Sequence, residues 1–187
     1  MRACIYIFCL IFDIDFMATE AEFLVGCGSD DHRISKVPIY GASTLKPLIL
    51  AGEIISTHFT PIAHSDGDVV YHAIMNAIFL ALGERDIGVH FPDTDKRYLG
   101  LRSIKMLAQV VDMMKERGYL VNNVSVMITA GEPKINPHIV KMRRNVAEAL
   151  SIDERYVGIG ATTGEKLTAH GRGEGINAIS TVLLKHI

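Results

Sequence analysis

The chain has 187 residues, 49% of them hydrophobic and 21% charged, enough apolar material for one domain with its own core but too little length for a second full one. Lys and Arg number 19 against 21 Asp and Glu, a formal net charge of -2, so no overall positive field exists to hold a nucleic-acid backbone. The three cysteines, Cys4, Cys9 and Cys27, are odd in number and form no Cys-x-x-Cys pair, which argues against a disulfide framework or zinc knuckle and for a reducing compartment.

The chain opens on an apolar run, Met1 to Phe16, which Asp13 and Asp15 interrupt. It is shorter than the roughly 20 residues of a spanning helix, and no small-residue cleavage pattern follows it. Residues 1–20 are therefore expected to be an N-terminal extension without a folded role, with Met17 as an ordinary start, and residues 21–187 a single domain. A poor targeting segment and an extra strand are the alternatives. No other stretch is long and apolar enough to span a bilayer, so no membrane partner is expected.

Glu22 to Gly28 reads as a short strand that ends in the polar cluster Ser29-Asp30-Asp31-His32. Residues 33–52 carry Pro38, Gly41 and Pro47 and read as a loop, with a short strand from Pro47 to Ala51. From Asp68 to Leu82 the apolar residues Val69, Ala73, Ile74, Ala77, Ile78 and Ala81 recur at helical spacing, with Ser65 or Asp66 available as cap and Gly83 as stop. A second helix is expected from Leu101 to Arg117, before Gly118. Val124, Val126 and Ile128 alternate with Ser125, Met127 and Thr129, the period of a strand. A third helix follows Pro137, from Ile139 to Leu150, and two more strands are expected at 157–163 and 175–184. The class is α+β, a mixed β-sheet with helices packed on one face. The last strand is apolar on both sides, which calls for covering helices or, as favoured, a subunit interface.

Five constellations carry chemistry. Residues two apart in a strand point the same way, so Asp30 and His32 can converge while Asp31 faces elsewhere. With His72 they would leave the fourth position of a tetrahedral zinc open, and Asp68, one helical turn before His72, can accept from its other ring nitrogen. A solvated strand end and a satisfied helix histidine fit the same spacing. His64-Ser65-Asp66-Gly67-Asp68 sits at a helix entry, where free N–H groups bind anions; a solvated cap fits equally. Asp86-Ile87-Gly88 with Phe91-Pro92-Asp93-Thr94-Asp95 can hold sugar hydroxyls, or is turn chemistry alone. Thr162-Thr163-Gly164-Glu165-Lys166 suits a diphosphate with a hard cation. Gly171-Arg172-Gly173-Glu174-Gly175 departs from Gly-x-Gly-x-x-Gly and precedes a strand, which excludes a dinucleotide loop.

Taken in order, Gly26-x-Gly28-x-Asp30-x-His32, the His64-to-His72 segment, Asp86-Ile87-Gly88, Phe91 to Asp95, Pro133-Lys134-x-x-Pro137-His138, Thr162 to Leu167 and Gly171 to Gly175 resemble the 2-C-methyl-D-erythritol 2,4-cyclodiphosphate synthase family, from about Val25 to the C-terminus. The resemblance implies a lyase of the non-mevalonate isoprenoid pathway. In it the 2-phosphate of 4-diphosphocytidyl-2-C-methyl-D-erythritol 2-phosphate attacks its own β-phosphorus and expels CMP. It implies a homotrimer whose sheets meet at a threefold axis, with sites between subunits. One zinc per subunit would rest on Asp30, His32 and His72, and magnesium or manganese on Glu165. His64 and Thr163 would steady the transition state. Ser65, Asp86, Ile87, Gly88, Phe91, Asp93 and Asp95 would contact the substrate. The backbone of Ala130, Gly131, Glu132, Pro133, Lys134, Ile135 and Asn136 would form the cytidine pocket beside Thr162, with Gly164, Glu165, Ala169 and Arg172 near the phosphates or the axis. Thr168-Ala169 replaces the family's usual Gly-Phe, which removes an aromatic wall from the axial cavity. Ser29 replaces a usual aromatic, Asn76 a common aspartate and Gly164 a common threonine. A bacterial cytoplasm is the expected setting, with a plastid as the alternative. On the residues alone, a zinc phosphohydrolase and a trimeric binding module are the rivals.

Overall fold

The computed structural model describes residues 20–36 and 46–187. The expected N-terminal extension, apart from Glu20, and residues 37–45 of the long loop lie outside the described residues.

The first strand, β1, runs Phe23–Ser35 and is longer than its apolar stretch implied. The Asp30 cluster lies inside it rather than at its end. Pairing is a backbone property, so the antiparallel ladder continues through Asp30↔Ala178, His32↔Ile176 and Arg33↔Gly175. Alternation holds throughout: Gly26, Gly28 and Ile34 are buried and Asp30 and His32 half-buried on one face, while Val25, Cys27, Ser29, Asp31 and Arg33 are exposed on the other. A hairpin follows, β2 (Leu48–Leu50) and β3 (Glu53–Ser56), then the two-residue β4 (Thr60–Pro61) against the end of β1. Neither β3 nor β4 was expected; both are too short to show a period.

Helix α1 (Val69–Ala81) is buried at every position but Leu80. Its cap is Asp68, not Ser65 or Asp66: the Asp68 carboxylate accepts from Val70 N and Tyr71 N at 3.2 and 3.3 Å, and from Ala51 N and Gly52 N in the β2–β3 turn at 2.8 Å each. One side chain thus starts the helix and anchors the hairpin. Burial pushes that carboxyl up to about 6, and the backbone donors pull the other way. The one-turn α2 (Ile87–His90), unexpected, comes before α3 (Ser103–Glu116), β5 (Tyr119–Thr129), α4 (Ile139–Leu150), β6 (Val157–Thr162) and β7 (Gly175–His186). The strands form one mixed sheet in the order β4-β1-β7-β5-β6, antiparallel except for β5–β6.

Helices α1, α3 and α4 bury the same face of this sheet. Gly26 and Gly28 set how closely α1 approaches. A Cβ at Gly26 would stand 2.0 Å from Ala77 O, and one at Gly28 2.3 Å from Ala77 N, so only a strand without side chains at those two places lets the helix backbone down onto it. The opposite face is open: Val25, Met127 and Ile179 are 68%, 51% and 47% exposed on three neighbouring strands. Helices therefore cover β7 on one side only.

Candidate metal centre and its pocket

Close packing of α1 on β1 brings His72, in the first turn of the helix, over the two strand residues that precede Ile34. His72 Nδ1 lies 2.9 Å from Asp30 Oδ2, and His32 Nε2 lies 3.3 Å from the same oxygen. The three donor atoms fall within 4.8 Å of one another. Tetrahedral donors about 2 Å from a common ion stand roughly 3.4 Å apart, so a small adjustment of these side chains would let them share one ion. His32 Nε2 is buried and makes no hydrogen bond; its distance to Asp30 is short, but its direction is wrong for one. Burial, more than the opposing pull of Asp30, holds the His32 pKa below the ordinary histidine value, which keeps a lone pair available. An orphaned imidazole nitrogen, a second imidazole and one carboxylate, with room beside them, fit a borderline-soft ion such as zinc with one open position.

The partner of the other His72 nitrogen differs from expectation. Asp68 is committed to four backbone N–H groups, and His72 Nε2 instead meets Ser103 Oγ at 2.8 Å and Ser65 Oγ at 3.3 Å. Ser103, fully buried at the head of α3, is hydrogen-bonded in turn to the Asp66 carboxylate. No motif in the sequence marks it, because α3 packs beside α1 only in three dimensions.

Beside the donor cluster opens a cavity of about 230 Å³, whose lining includes Asp30, His32, His64, Ser65, His72, Ile87, Phe91 and Asp93. Residues from four separate sequence motifs meet there. Tyr98 and Met106, unremarkable in the sequence, complete its wall. His64 Nε2 is buried without a partner, so one ring nitrogen is free for a guest. The loop that carries it is held by Gly100 N, which donates to His64 O at 2.9 Å, and by the Lys46 ammonium, which donates to Ala63 O at 2.9 Å and to Ser65 O. Asn76 ties the next segment down: its amide donates to Ser29 O at 3.0 Å and accepts from Ile87 N at 2.8 Å. Asp86 and Asp95 are engaged as turn caps, Asp86 by Gly88 N at 2.9 Å and Asp95 by Arg97, and neither lines the cavity.

The remaining expected residues gather elsewhere. Ala130 N donates to Thr162 O at 3.0 Å and Gly131 N to His170 O at 2.8 Å, so the 130–136 loop lies against the turn after β6. Ile135 is buried, Glu132 pairs with Lys36, and Lys134 and Asn136 are exposed with half-buried Pro133 between them and Gly131. Thr163 Oγ1 accepts from Glu165 N at 3.4 Å, which turns the exposed Glu165 outward at φ 50. Gly164 lies half-buried in the same turn, Ala169 half-buried after it, and Arg172 pairs with Glu174 at 2.7 Å. Asp31, on the open side of β1, meets His170 at 2.6 Å. Two strands separate β1 from β6, three spacings or roughly 14 Å, so within one chain Thr163 and Glu165 do not reach the metal cavity.

A two-layer α+β scaffold with a candidate metal-ligand cluster at the floor of a small cavity lined by histidines, carboxylates and a hydroxyl is the arrangement of a metal-assisted small-molecule site. The chain matches the model of the YgbB family over residues 23–185, and it belongs to that family. It is 44% identical over 160 residues to the 2-C-methyl-D-erythritol 2,4-cyclodiphosphate synthase of Synechocystis sp., with 86% of this chain and 94% of that protein covered. Among solved structures it is similar to IspF of Plasmodium falciparum in complex with CDP, at TM-score 0.75 and 28% identity, covering 90% of this chain and 99% of that one. It is also similar to the bifunctional IspDF of Campylobacter jejuni, at TM-score 0.81 and 36% identity over 89% of this chain, but spans only 43% of that longer protein. The activity named for its curated relatives is that of a 2-C-methyl-D-erythritol 2,4-cyclodiphosphate synthase.

Proposed function

We propose that this chain closes 2-C-methyl-D-erythritol 2,4-cyclodiphosphate from 4-diphosphocytidyl-2-C-methyl-D-erythritol 2-phosphate, with CMP as leaving group. The observation that carries this reading is the convergence of Asp30, His32 and His72 on the floor of a cavity that also holds the free nitrogen of His64. A bond forms between a 2-phosphate oxygen and the β-phosphorus, and the bond from that phosphorus to the bridging oxygen breaks, its electron pair leaving with CMP. The attacking oxygen is already ionised, so no protein nucleophile is required and positioning does the work. Zinc at Asp30, His32 and His72, with magnesium or manganese at Glu165, would supply positive charge beside the phosphates.

His64 and Ser65 donate to phosphate oxygens from the cavity wall, and Thr163 does so from the other half of the site. Ile87 and Phe91 offer apolar contact to the methylerythritol carbons, and Asp93 accepts from its hydroxyls. The 130–136 loop receives the cytidine, in keeping with the CDP bound to the Plasmodium falciparum protein.

The reading includes a homotrimer in which the open sheet faces meet around a threefold axis. Two features support it: the apolar side chains exposed on that face, and the distance between the two half-sites in one chain. Residues 21–187 are taken as the single domain and residues 1–20 as an extension outside it. The bacterial relatives favour a bacterial cytoplasm.

The test is to incubate purified protein with this substrate, zinc and magnesium, and to follow phosphorus resonances and CMP release, with His72→Ala as control. Two coupled diphosphate signals and CMP, both lost in the variant, are expected. A linear product would replace this reading with a phosphohydrolase, and bound ligand without turnover would replace it with a binding module.

A further inference from the structure

The hydroxyl that faces His72 has its own hydrogen already assigned. Ser103 Oγ lies in hydrogen-bond contact with Asp66 Oδ1, and Ser103 N donates to Asp66 Oδ2 at 3.0 Å. A carboxylate only accepts, so the serine hydrogen points to Asp66 and a lone pair is left toward His72. His72 Nε2, 2.8 Å away, can meet that lone pair only as a donor, with the ring hydrogen on Nε2. Nδ1 stands 2.9 Å from Asp30 Oδ2, which also only accepts, so Asp30 and Ser103 compete for the one ring hydrogen; a metal shared with Asp30 and His32 needs the Nδ1 lone pair, and Ser103 is the acceptor that keeps the hydrogen on Nε2.

The other hydroxyl near His72 is a poorer partner. Ser65 Oγ stands 3.3 Å from Nε2 and already accepts from Gly67 N at 3.1 Å. Asp66 is in turn fixed from behind, its N–H donating to Leu101 O at 3.2 Å. With Nδ1 given to a metal, the chain His72–Ser103–Asp66 therefore has one direction for each hydrogen; it sits out of water at Ser103 and ends on a charge.

We propose that Ser103, oriented by Asp66, is a positioning residue that locks His72 in the Nε2–H tautomer and sets the affinity of the centre for its metal. This rests on the reading of Asp30, His32 and His72 as a zinc site. Outer partners of a ligating histidine act by fixing its tautomer and ring plane and by raising its basicity, and their removal typically weakens metal binding about 10–100-fold. Ser103 contributes through His72 and touches no substrate.

The experiment is competition for zinc between a chromophoric chelator and the purified metal-free protein, wild type against Ser103→Ala, Asp66→Asn and Ser65→Ala. Nitrogen-15 spectra of the histidine rings, with His72 assigned by difference from His72→Ala, report the tautomer. Ser103→Ala is expected to bind zinc about 10–100-fold more weakly and to show His72 in mixed tautomers. Asp66→Asn, which keeps an acceptor but loses the charge, should fall between it and wild type, and Ser65→Ala should change affinity less than either. Wild type that fails to bind zinc would sink the metal reading itself. Wild type that binds, with Ser103→Ala within about twofold of it and an unchanged His72 tautomer, would sink the positioning role alone. Should Ser103→Ala not fold, Asp66→Asn decides the matter, and wild-type affinity there overturns the proposal.

Discussion

The two halves of the candidate site are built in opposite ways. On β1 and α1 the donors are buried or half-buried, bonded through Ser103, Asp66, Lys46 and Asn76, and held by a helix seated on two glycines. At the end of β6 and on the turn after it, Thr162, Thr163, Glu165 and Lys166 are exposed, and their bonds run mostly to backbone within two residues. The donor cluster of the first is complete within one chain, whereas the second presents its side chains outward; on the proposed reading it finishes the pocket of a neighbouring subunit. A fixed ligand geometry needs dense packing, which the first region has, and an exposed turn leaves room for a guest to enter and leave.

The strongest way to break this comparison is to separate the halves genetically. His72→Ala and Glu165→Ala are each expected to be inactive, yet subunits of the two unfolded and refolded together should regain roughly a quarter of wild-type turnover, the share of sites that combine two intact halves by random mixing. Activity that stays at zero in the mixture would show both halves belonging to one chain. Next in size is Gly28→Ala. Its Cβ would meet Ala77 N at 2.3 Å and Ala73 O at 2.6 Å, backbone that can only lift away, so a loss of about 3 kcal/mol in urea unfolding is expected, with weaker zinc binding as His72 rises.

Asp68 sharpens the same half through pH. Its carboxyl is pushed up to about 6 from 3.8 by burial, so between those values the folded protein holds a proton that the unfolded chain has released. The contribution of this group is greatest below 3.8, falls as pH rises through the window and is flat above about 6, a gap of about 3 kcal/mol. Urea midpoints of wild type and Asp68→Asn, compared at about pH 4 and about pH 7, should therefore shift in favour of the variant by up to about that amount. A difference that does not change with pH would mean that the buried carboxylate stays charged throughout. The smallest effect belongs to the outer half. A methyl added at Gly173 would meet nothing within 4 Å, but the backbone there has a φ of +80, so Gly173→Ala costs only backbone strain, about 1 kcal/mol, against the larger clash at Gly28.

Much of this was legible in the residues. α3 and α4 each show an apolar stripe of helical period, α1 is apolar on nearly every side, and the observed α4 has the bounds that Pro137 and the period implied. The alternation in β5 and the pairing of Asp30 with His32 on one strand face follow from a period of two. Short-range patterns of this kind are set by backbone geometry, which each stretch of chain obeys on its own.

What the order of residues could not show is everything decided by elements meeting. β1 runs on through its acidic cluster because β7, some 145 residues later, continues beside it. Asp68 caps a helix and holds a hairpin instead of serving His72, because the β2–β3 turn brings two more N–H groups to it. Ser103 became the partner of His72 because α3 lies against α1. In the sequence these residues carry polarity and spacing only; which donor faces which acceptor is fixed by the distance between packed backbones, and that distance exists only once the tertiary structure has formed.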